Sequence, residues 1–247
     1  MSKPGDEQNV KGAGAGGAGS LPGKPVSASR LTQLVSRQDS DLDELAKVID
    51  KDPSLRKRLL RVANPDAENE AEYAIETVED ALMRNGMGCV LVLAMSTPLA
   101  QALVKSFQTM LSLTLEDIDP FEAEPLDGEH LLGTISFSGK VVGRVHLRMN
   151  LASARAVAAG ILGISAGELT DTTEIKDAAG ELLNIMTGNF KSNLCDAGLD
   201  CRLQTPEMKL STDFHTPSVP GGGLEHLAFR AGKIQLFVDV TANPWSD

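Results

Sequence analysis

The clearest pattern in the chain is a helical repeat of apolar residues from Glu174 to Leu194. At about 100° per residue, the apolar members share one side of a helix: Ile175, Ala178, Ala179, Leu182, Met186, Phe190 and Leu194. The opposite side collects four polar residues and a glycine: Asp177, Glu181, Asn184, Gly188 and Lys191. Asn184, Gly188 and the additional Gly180 are poor helix formers, which indicates close approach by a partner. The pattern predicts a helix that packs on one side and presents the other.

Helical spacing of apolar residues also covers the region from Leu31 to about Val104. Asp52 followed by Pro53 predicts the start of a helix, and Asn64 followed by proline predicts its end. We therefore expect an all-helical segment here.

Two further features of this region bear on its environment. The uncharged run from Asn85 to Val104 approaches the length of a membrane span, but it contains glycine, serine, threonine, proline and glutamine. We predict a buried helix followed by a break, and no membrane insertion. The basic residues Arg56, Lys57, Arg58 and Arg61 are interpreted as a solvated face.

After Lys105 the spacing changes to the alternation that is typical of strands. Thr134–Phe137 and Val141–Met149 predict a hairpin that turns at Ser138 and Gly139, and Leu151–Leu162 predicts an alanine-rich helix. Three more strands are expected: Cys201–Leu210, Leu224–Arg230 and Lys233–Thr241. This order predicts an α+β fold in which two long helices cover one face of an antiparallel sheet.

Composition divides the 247 residues into three parts. Residues 1–28, rich in Gly, Ala, Ser and Pro, are predicted to be a disordered tail, residues 29–105 a small all-helical segment, and residues 106–247 the α+β domain. A hydrophobic content of 42% supports a packed core. The net charge of -11 and the pI near 4.9 argue against nucleic acid or an anionic membrane as partner.

The cysteines and histidines form no pattern that is typical of a metal site. Cys89, Cys195 and Cys201 are an odd number without paired spacing, which favours free thiols in a reducing compartment. The four histidines are dispersed, so no metal site is predicted. The N-terminal residues lack the order of a secretion signal, and we expect a cytoplasmic protein.

The helical segment resembles the opening part of an HDOD domain, a helical signalling module related to HD phosphohydrolases but without their metal site. The resemblance is carried by DLDELAKVIDKDPSLRKRLLRVAN at 41–64 and IETVEDALMRNGMGCVLVLAM at 75–95. It covers about the first third of such a domain and implies a docking or spacer unit. A generic helical bundle is the alternative interpretation.

From about Phe107 onward the chain resembles the chemotaxis phosphatases CheX, CheC and FliY. Their signature of Asp or Ser, three residues, Glu, two residues and Asn is matched by Asp177, Glu181 and Asn184. Twenty-one residues then separate Asn184 from Pro206, one fewer than in the family. The stretches at 136–163 and 187–194 also resemble the family. One signature implies one site per chain, as in CheX, and CheX-like proteins tend to form homodimers through their sheets.

The resemblance implies an enzyme that hydrolyses the phosphoaspartate of a CheY-like response-regulator receiver. By this resemblance Glu181 pairs with the receiver's active-site lysine, and Asn184 orients the attacking water. Pro206 is expected to shape the strand beside the helix. Further partner-binding residues are expected at the same surface: Asp177, Gly188 and Lys191. The protein needs no cofactor of its own, because Mg²⁺ is supplied in the receiver's site.

Elementary chemistry agrees with these roles. Glu181 and Asn184 are three residues apart and therefore neighbours on one helix face. An Asn amide orients water through its carbonyl oxygen with little basicity, and a carboxylate pairs with an ammonium group. A Glu and an Asn at this spacing are nevertheless common. The alternative is a non-catalytic adaptor that binds a receiver or another signalling partner.

Overall fold

The computed structural model describes residues 25–37, 40–64, 74–212 and 222–244. The helices are α1 Pro25–Val35, α2 Leu42–Asp50, α3 Pro53–Ala63, α4 Val78–Leu111, α5 Leu151–Leu162 and α6 Thr172–Asp196. The strands are β1 Glu116–Ile118, β2 His130–Gly139, β3 Val141–Asn150, β4 Cys201–Leu203, β5 Glu207–Ser211, β6 Gly223–Ala231 and β7 Ile234–Pro244. Helices precede a mixed helix and strand region, so the predicted α+β class is confirmed.

The helix α3 begins and ends where its capping residues predict. The Asp52 side chain accepts hydrogen bonds from the backbone N–H groups of Ser54 and Leu55, and Pro53 occupies the first helical position. At the other end, the Asn64 side chain donates to the carbonyl of Leu60 and exchanges two hydrogen bonds with the backbone of Ile75. These bonds satisfy backbone groups that the helix ends leave without partners.

The helix α4 corrects one expectation and agrees with another. The predicted break after the uncharged run is absent, because α4 continues through Pro98 to Leu111, and its irregularity lies earlier, at Gly86 with φ of 63°. Proline cannot donate to the carbonyl four residues before it, and Thr32 of α1 instead donates to that carbonyl, on Ala94, at 3.1 Å. The helix is long and apolar enough to span a membrane, but 83% of its apolar window is buried within the protein, as a core helix requires.

The helix α4 also belongs to both predicted structural parts. The Thr97 side chain contacts Arg58 of α3, while Leu111 lies against Gly160 of α5. The predicted boundary at 105/106 therefore falls inside a helix. One continuous hydrophobic core includes Leu31 from the first helix and Val238 from the last strand. The N-terminal helices and the sheet share this core.

The strands form one antiparallel sheet in the order β1-β6-β7-β3-β2-β4, with β5 also paired to β2. The helices α4, α5 and α6 pack on the sheet and on each other. Inward-facing side chains such as Ile135, Leu147 and Val238 are almost fully buried. The predicted arrangement of helices over an antiparallel sheet is thus observed, with α4 as an additional covering helix, β1 as an additional strand, and the predicted strand Cys201–Leu210 divided into β4 and β5.

The start of the chain was predicted to be a tail from residue 1 to 28. Residues 1–24 lie outside the described residues, and that part stays a prediction. The helix α1 begins at Pro25, so it includes the last four residues of the predicted tail.

Candidate functional site

The helix α6 has the two faces that its sequence predicts. Asp171 caps its start by accepting from the backbone N–H of Thr173 at 2.8 Å. All seven apolar residues of the predicted inner face are buried: Ile175, Ala178, Ala179, Leu182, Met186, Phe190 and Leu194. The Phe190 ring meets Phe137 of β2 edge to face at 5.8 Å between centroids. This packing holds α6 against the sheet and turns its polar face outward.

Glu181 and Asn184 lie on the outward face and are exposed. Within the described residues, neither side chain makes a hydrogen bond or an ion pair. The buried Thr187 lies beneath them and donates to the backbone carbonyls of Leu183 at 2.6 Å and Asn184 at 3.3 Å. The two polar groups are therefore carried by an ordered helix, and their side chains remain available to a partner.

The rest of the predicted stripe extends this exposed surface in both directions. Asp177 lies one turn before Glu181, and Lys191 lies about two turns after Asn184; both side chains are exposed. Gly188 separates Asn184 from Lys191, and a Cβ atom built on Gly188 meets no atom within 4 Å. All five predicted residues thus lie on one open face of α6, and the space next to Gly188 is open.

Gly180 does not lie on the surface that a partner is expected to approach. A Cβ atom built on Gly180 lies 3.4 Å from the Met208 side chain of β5. This is an ordinary van der Waals distance, so Gly180 faces the sheet inside the protein and not the outward stripe. Of the two glycines in the opening pattern, Gly188 alone fits the expected approach of a partner.

Pro206 lies between β4 and β5, two strands that both pair with β2 and contact α6. Leu203 pairs with Phe137 and Glu207 with Thr134, so three residues on this side oppose two residues of β2. Such an excess is a bulge, and proline suits it because proline has no N–H to donate to the ladder. This geometry is consistent with the predicted role of Pro206 in shaping the strand beside the helix.

A second polar cluster was not expected from the sequence. Arg58 is buried and forms a two-pronged ion pair with Glu225 of β6, with N–O distances of 2.6 and 2.9 Å. The Arg58 guanidinium also donates to the hydroxyl groups of Ser96 and Thr97, each at 2.7 Å. The interpretation of the basic residues of α3 as a solvated face is therefore wrong for Arg58. Glu225 shares its inward side with Leu227 and Phe229, an alternation that indicates a buried carboxylate.

Two histidines lie on either side of one buried carboxylate, because His146 of β3 and His226 of β6 are both paired in register with Asp239 of β7. His146 contacts Thr134 at 2.9 Å, and burial holds its pKa below the ordinary value. His226 contacts the buried Asp239 at 2.7 Å, and Asp239 also accepts two bonds from Arg148. Burial opposes ionisation of Asp239, but these partners outweigh it and lower its pKa. Among the described residues, no three metal-ligating side chains cluster together, and His215 lies outside them.

Comparisons with known proteins agree with the two parts of this architecture. Residues 131–223 match the family "Chemotaxis phosphatase CheX", and residues 21–117 match the family "HDOD domain". The first match contains the exposed face of α6, and the second contains α1 to α4. The chain therefore combines HDOD-type helices with a CheX-like domain. No curated protein sequence matches the chain significantly.

Solved structures support the same fold. The chemotaxis protein CheX from Vibrio vulnificus is 20% identical, with a TM-score of 0.52 over 60% of this chain and 99% of its own. A CheC-like superfamily protein from a Shewanella species is 19% identical, with a TM-score of 0.53 over 60% of this chain and 97% of its own. A CheX protein from Desulfovibrio desulfuricans is 18% identical, with a TM-score of 0.50 over 59% and 97%. At these identities the likeness shows the fold.

Proposed function

We propose that this protein is an aspartyl-phosphate protein phosphatase that acts on a CheY-like response-regulator receiver and thereby ends a chemotaxis or other two-component signal. The observation that carries the proposal is the exposed pair of Glu181 and Asn184, which have no partners among the described residues. The pair lies on a rigid helix of a domain that matches the CheX phosphatase family. A blocked or buried face would have favoured the adaptor alternative.

The chemistry asks little of the protein. A phosphoaspartate is an acyl phosphate, and a water molecule attacks its phosphorus as the bond to the carboxylate oxygen breaks. The products are inorganic phosphate and a free aspartate, whose low pKa makes it a good leaving group. Catalysis then depends on holding one water in line with the breaking bond. Asn184 supplies a carbonyl oxygen that accepts from this water and an amide that donates to a second group.

Glu181 has a different part in the proposal. Its carboxylate would pair with the lysine of a receiver's active site. This pairing would fix the position of α6 on the receiver so that Asn184 reaches the phosphoryl group. The side chains of Asp177 and Lys191 would contact the receiver around this point, and Gly188 would admit its backbone. The Mg²⁺ ion that receivers bind would stay in the receiver and stabilise charge on the phosphoryl oxygens.

The direct test is the rate at which phosphoaspartate is lost from receivers of the same genome. Each receiver is charged with acetyl phosphate and Mg²⁺, separated from the donor, and followed with and without the protein. We expect accelerated loss with at least one receiver. Asn184→Ala should abolish the acceleration and leave receiver affinity within about twofold, because its role belongs to the transition state.

Two variants make this test specific. Glu181→Ala should weaken both binding and hydrolysis, since a charge-assisted hydrogen bond is commonly worth about 1.5–3 kcal/mol. Asn189→Ala is the matched control, because Asn189 is exposed on the same helix but points away from the stripe. Binding of a receiver without any acceleration would select the adaptor function. Acceleration that survives Asn184→Ala would contradict the assigned site.

The setting of the reaction also stays a proposal. We expect a cytoplasmic protein with no nucleic-acid partner, in agreement with its net charge of -11. The CheX resemblance further suggests a homodimer formed through the sheets. Light scattering coupled to size-exclusion chromatography would give the mass of the assembly, and a monomer at micromolar concentration would exclude a stable dimer.

A further inference from the structure

A cavity of about 500 Å³ lies where the HDOD-type helices meet the sheet at the start of β6. Its walls come from α3, the N-terminal half of α4, the loop after β1, and the strands β3, β6 and β7. The side chains that characterise it are three basic groups, two aromatic rings and one carboxylate: Arg61, Arg148, His226, Phe121, Phe237 and Glu225. Cavities of this size hold small organic molecules in other proteins.

The basic groups of the cavity share their carboxylate partners. Asp119 pairs with both Lys57 at 2.9 Å and Arg61 at 3.5 Å, and the enclosed Nε of Arg61 has no hydrogen-bond partner in the part of the chain that the structure describes. Asp239 likewise pairs with both Arg148 and His226. Each of these two carboxylates thus has two basic neighbours.

The other carboxylates near the cavity are Glu225 and Asp117. Glu225, the carboxylate in the wall, is already neutralised by Arg58 and further bound by Ser96. Asp117 lies nearby on β1, where burial raises its pKa while the charges of Arg58 and Arg61 act in the opposite direction. Arg61 retains an enclosed nitrogen without a hydrogen-bond partner among the described residues, and its planar guanidinium is suited to a carboxylate, sulfonate or phosphate.

The apolar walls define the rest of the ligand. The Phe121 side chain is 58% exposed at the cavity, an unusual exposure for a ring. Phe237 also lines the cavity, and the guanidinium carbon of Arg148 lies over its ring, 5.3 Å from the ring centroid. Val62, Cys89 and Leu224 complete an apolar surface beside these rings. A flat apolar body fits this surface, and its charged end reaches Arg61.

We propose that this cavity is a binding site for an aromatic organic anion. The apolar body of the ligand contacts Phe121 and Phe237, and its anionic group accepts hydrogen bonds from Arg61. The site is formed jointly by the HDOD-type helices and the sheet, and it lies apart from the exposed face of α6.

The test uses the fluorescent anion 8-anilinonaphthalene-1-sulfonate as the probe and the full chain as the protein. We expect one probe molecule bound per chain with enhanced, blue-shifted emission. Arg61→Gln should weaken binding about tenfold through loss of charge-assisted hydrogen bonds. Phe121→Ser should weaken it as well, and because this ring is largely exposed, the variant keeps the fold. Arg56→Gln is the matched control, since Arg56 lies on the same helix outside the cavity and should leave binding unchanged.

Two comparisons separate this site from general binding to apolar surface. Uncharged N-phenyl-1-naphthylamine should bind more weakly than the sulfonate and should respond to Phe121→Ser but not to Arg61→Gln. Circular dichroism and thermal unfolding verify that each variant is folded. Equal affinity of the sulfonate for the wild type, Arg61→Gln and Phe121→Ser would overturn the proposal, as would equal loss of affinity in Arg56→Gln.

Discussion

Replacing Arg58 with methionine tests how the N-terminal helices are attached to the sheet. The substitution leaves the Glu225 carboxylate, which is 0% exposed, without the cation that neutralises it. Removing one partner of a buried ion pair costs about 3–5 kcal/mol, because the remaining charge is uncompensated in a poorly polarisable interior. The hydroxyl of Ser96 still donates to Glu225, which places the expected loss toward the lower part of that range.

Urea unfolding followed by circular dichroism measures this loss as a change in the free energy of unfolding. For a chain of this size, 1 kcal/mol corresponds to roughly 2–4 °C, so the melting temperature should fall by roughly 6–20 °C. Arg56→Met is the matched control on the same helix. Arg56 is half exposed and lies 3.6 Å from Asp50, and its loss should change stability by about 0.5 kcal/mol or less.

A double variant separates charge burial from lost packing. Arg58→Met combined with Glu225→Leu removes both charges, and it should be more stable than Arg58→Met alone by at least about 1 kcal/mol. A loss of less than about 1 kcal/mol in the free energy of unfolding of Arg58→Met would refute the reasoning, because a buried carboxylate that has lost its ion-pair partner destabilises the protein by more than that. A double variant less stable than the single one would do the same.

Three further predictions follow from the site and the core. Gly188→Leu should leave the free energy of unfolding unchanged or raise it by up to about 1 kcal/mol through helix propensity, yet abolish receiver binding. Gly180→Leu should lower the free energy of unfolding by about 1–3 kcal/mol, because the added side chain meets Met208. Similar effects of the two substitutions would contradict the separate roles of the two glycines. The free energy of unfolding should fall in acid in two steps. The first lies below about pH 6.5, because His146 takes up a proton in the unfolded chain while burial keeps it neutral in the folded protein. The second lies below about pH 4, toward the lowered pKa of Asp239. A urea midpoint that is constant from pH 7 to 5 would contradict the first of these steps, and His146→Gln should remove that step alone. Burial raises the pKa of Cys89 to about 11, so iodoacetamide at pH 8 should label Cys89 far more slowly than the partly exposed Cys195, and equal labelling by mass spectrometry would contradict that burial.

Local signals made part of the structure predictable. The bounds of α5, Leu151–Leu162, agree with the prediction because both ends are marked in the sequence. Asn150 caps the start by accepting from the backbone N–H of Ser153, and Gly163 ends the helix with φ of 69°. The two faces of α6 were likewise predictable, because a long apolar repeat at helical spacing has one way to be buried.

Expectations failed where a distant part of the chain decides the outcome. Pro98 would break an isolated helix, but the hydroxyl of Thr32, sixty-two residues away along the chain, takes over the carbonyl of Ala94. Arg58 lies among basic residues that are exposed or half-buried, and its burial depends on Glu225. The strand β1 has three residues, too few for an alternating pattern, and pairing with β6 defines it.

The sequence by itself determined the class of fold, the α6 helix and which of its residues face outward, because hydrophobic spacing and capping residues act over a few neighbouring positions. The proposed pair of Glu181 and Asn184 was therefore visible before the fold was known. Tertiary structure alone decided that the N-terminal helices share a core with the sheet, that Arg58 neutralises Glu225, and that Phe121 and Phe237 line one cavity. These features join residues far apart in the chain, and only the packing of the whole molecule brings them together.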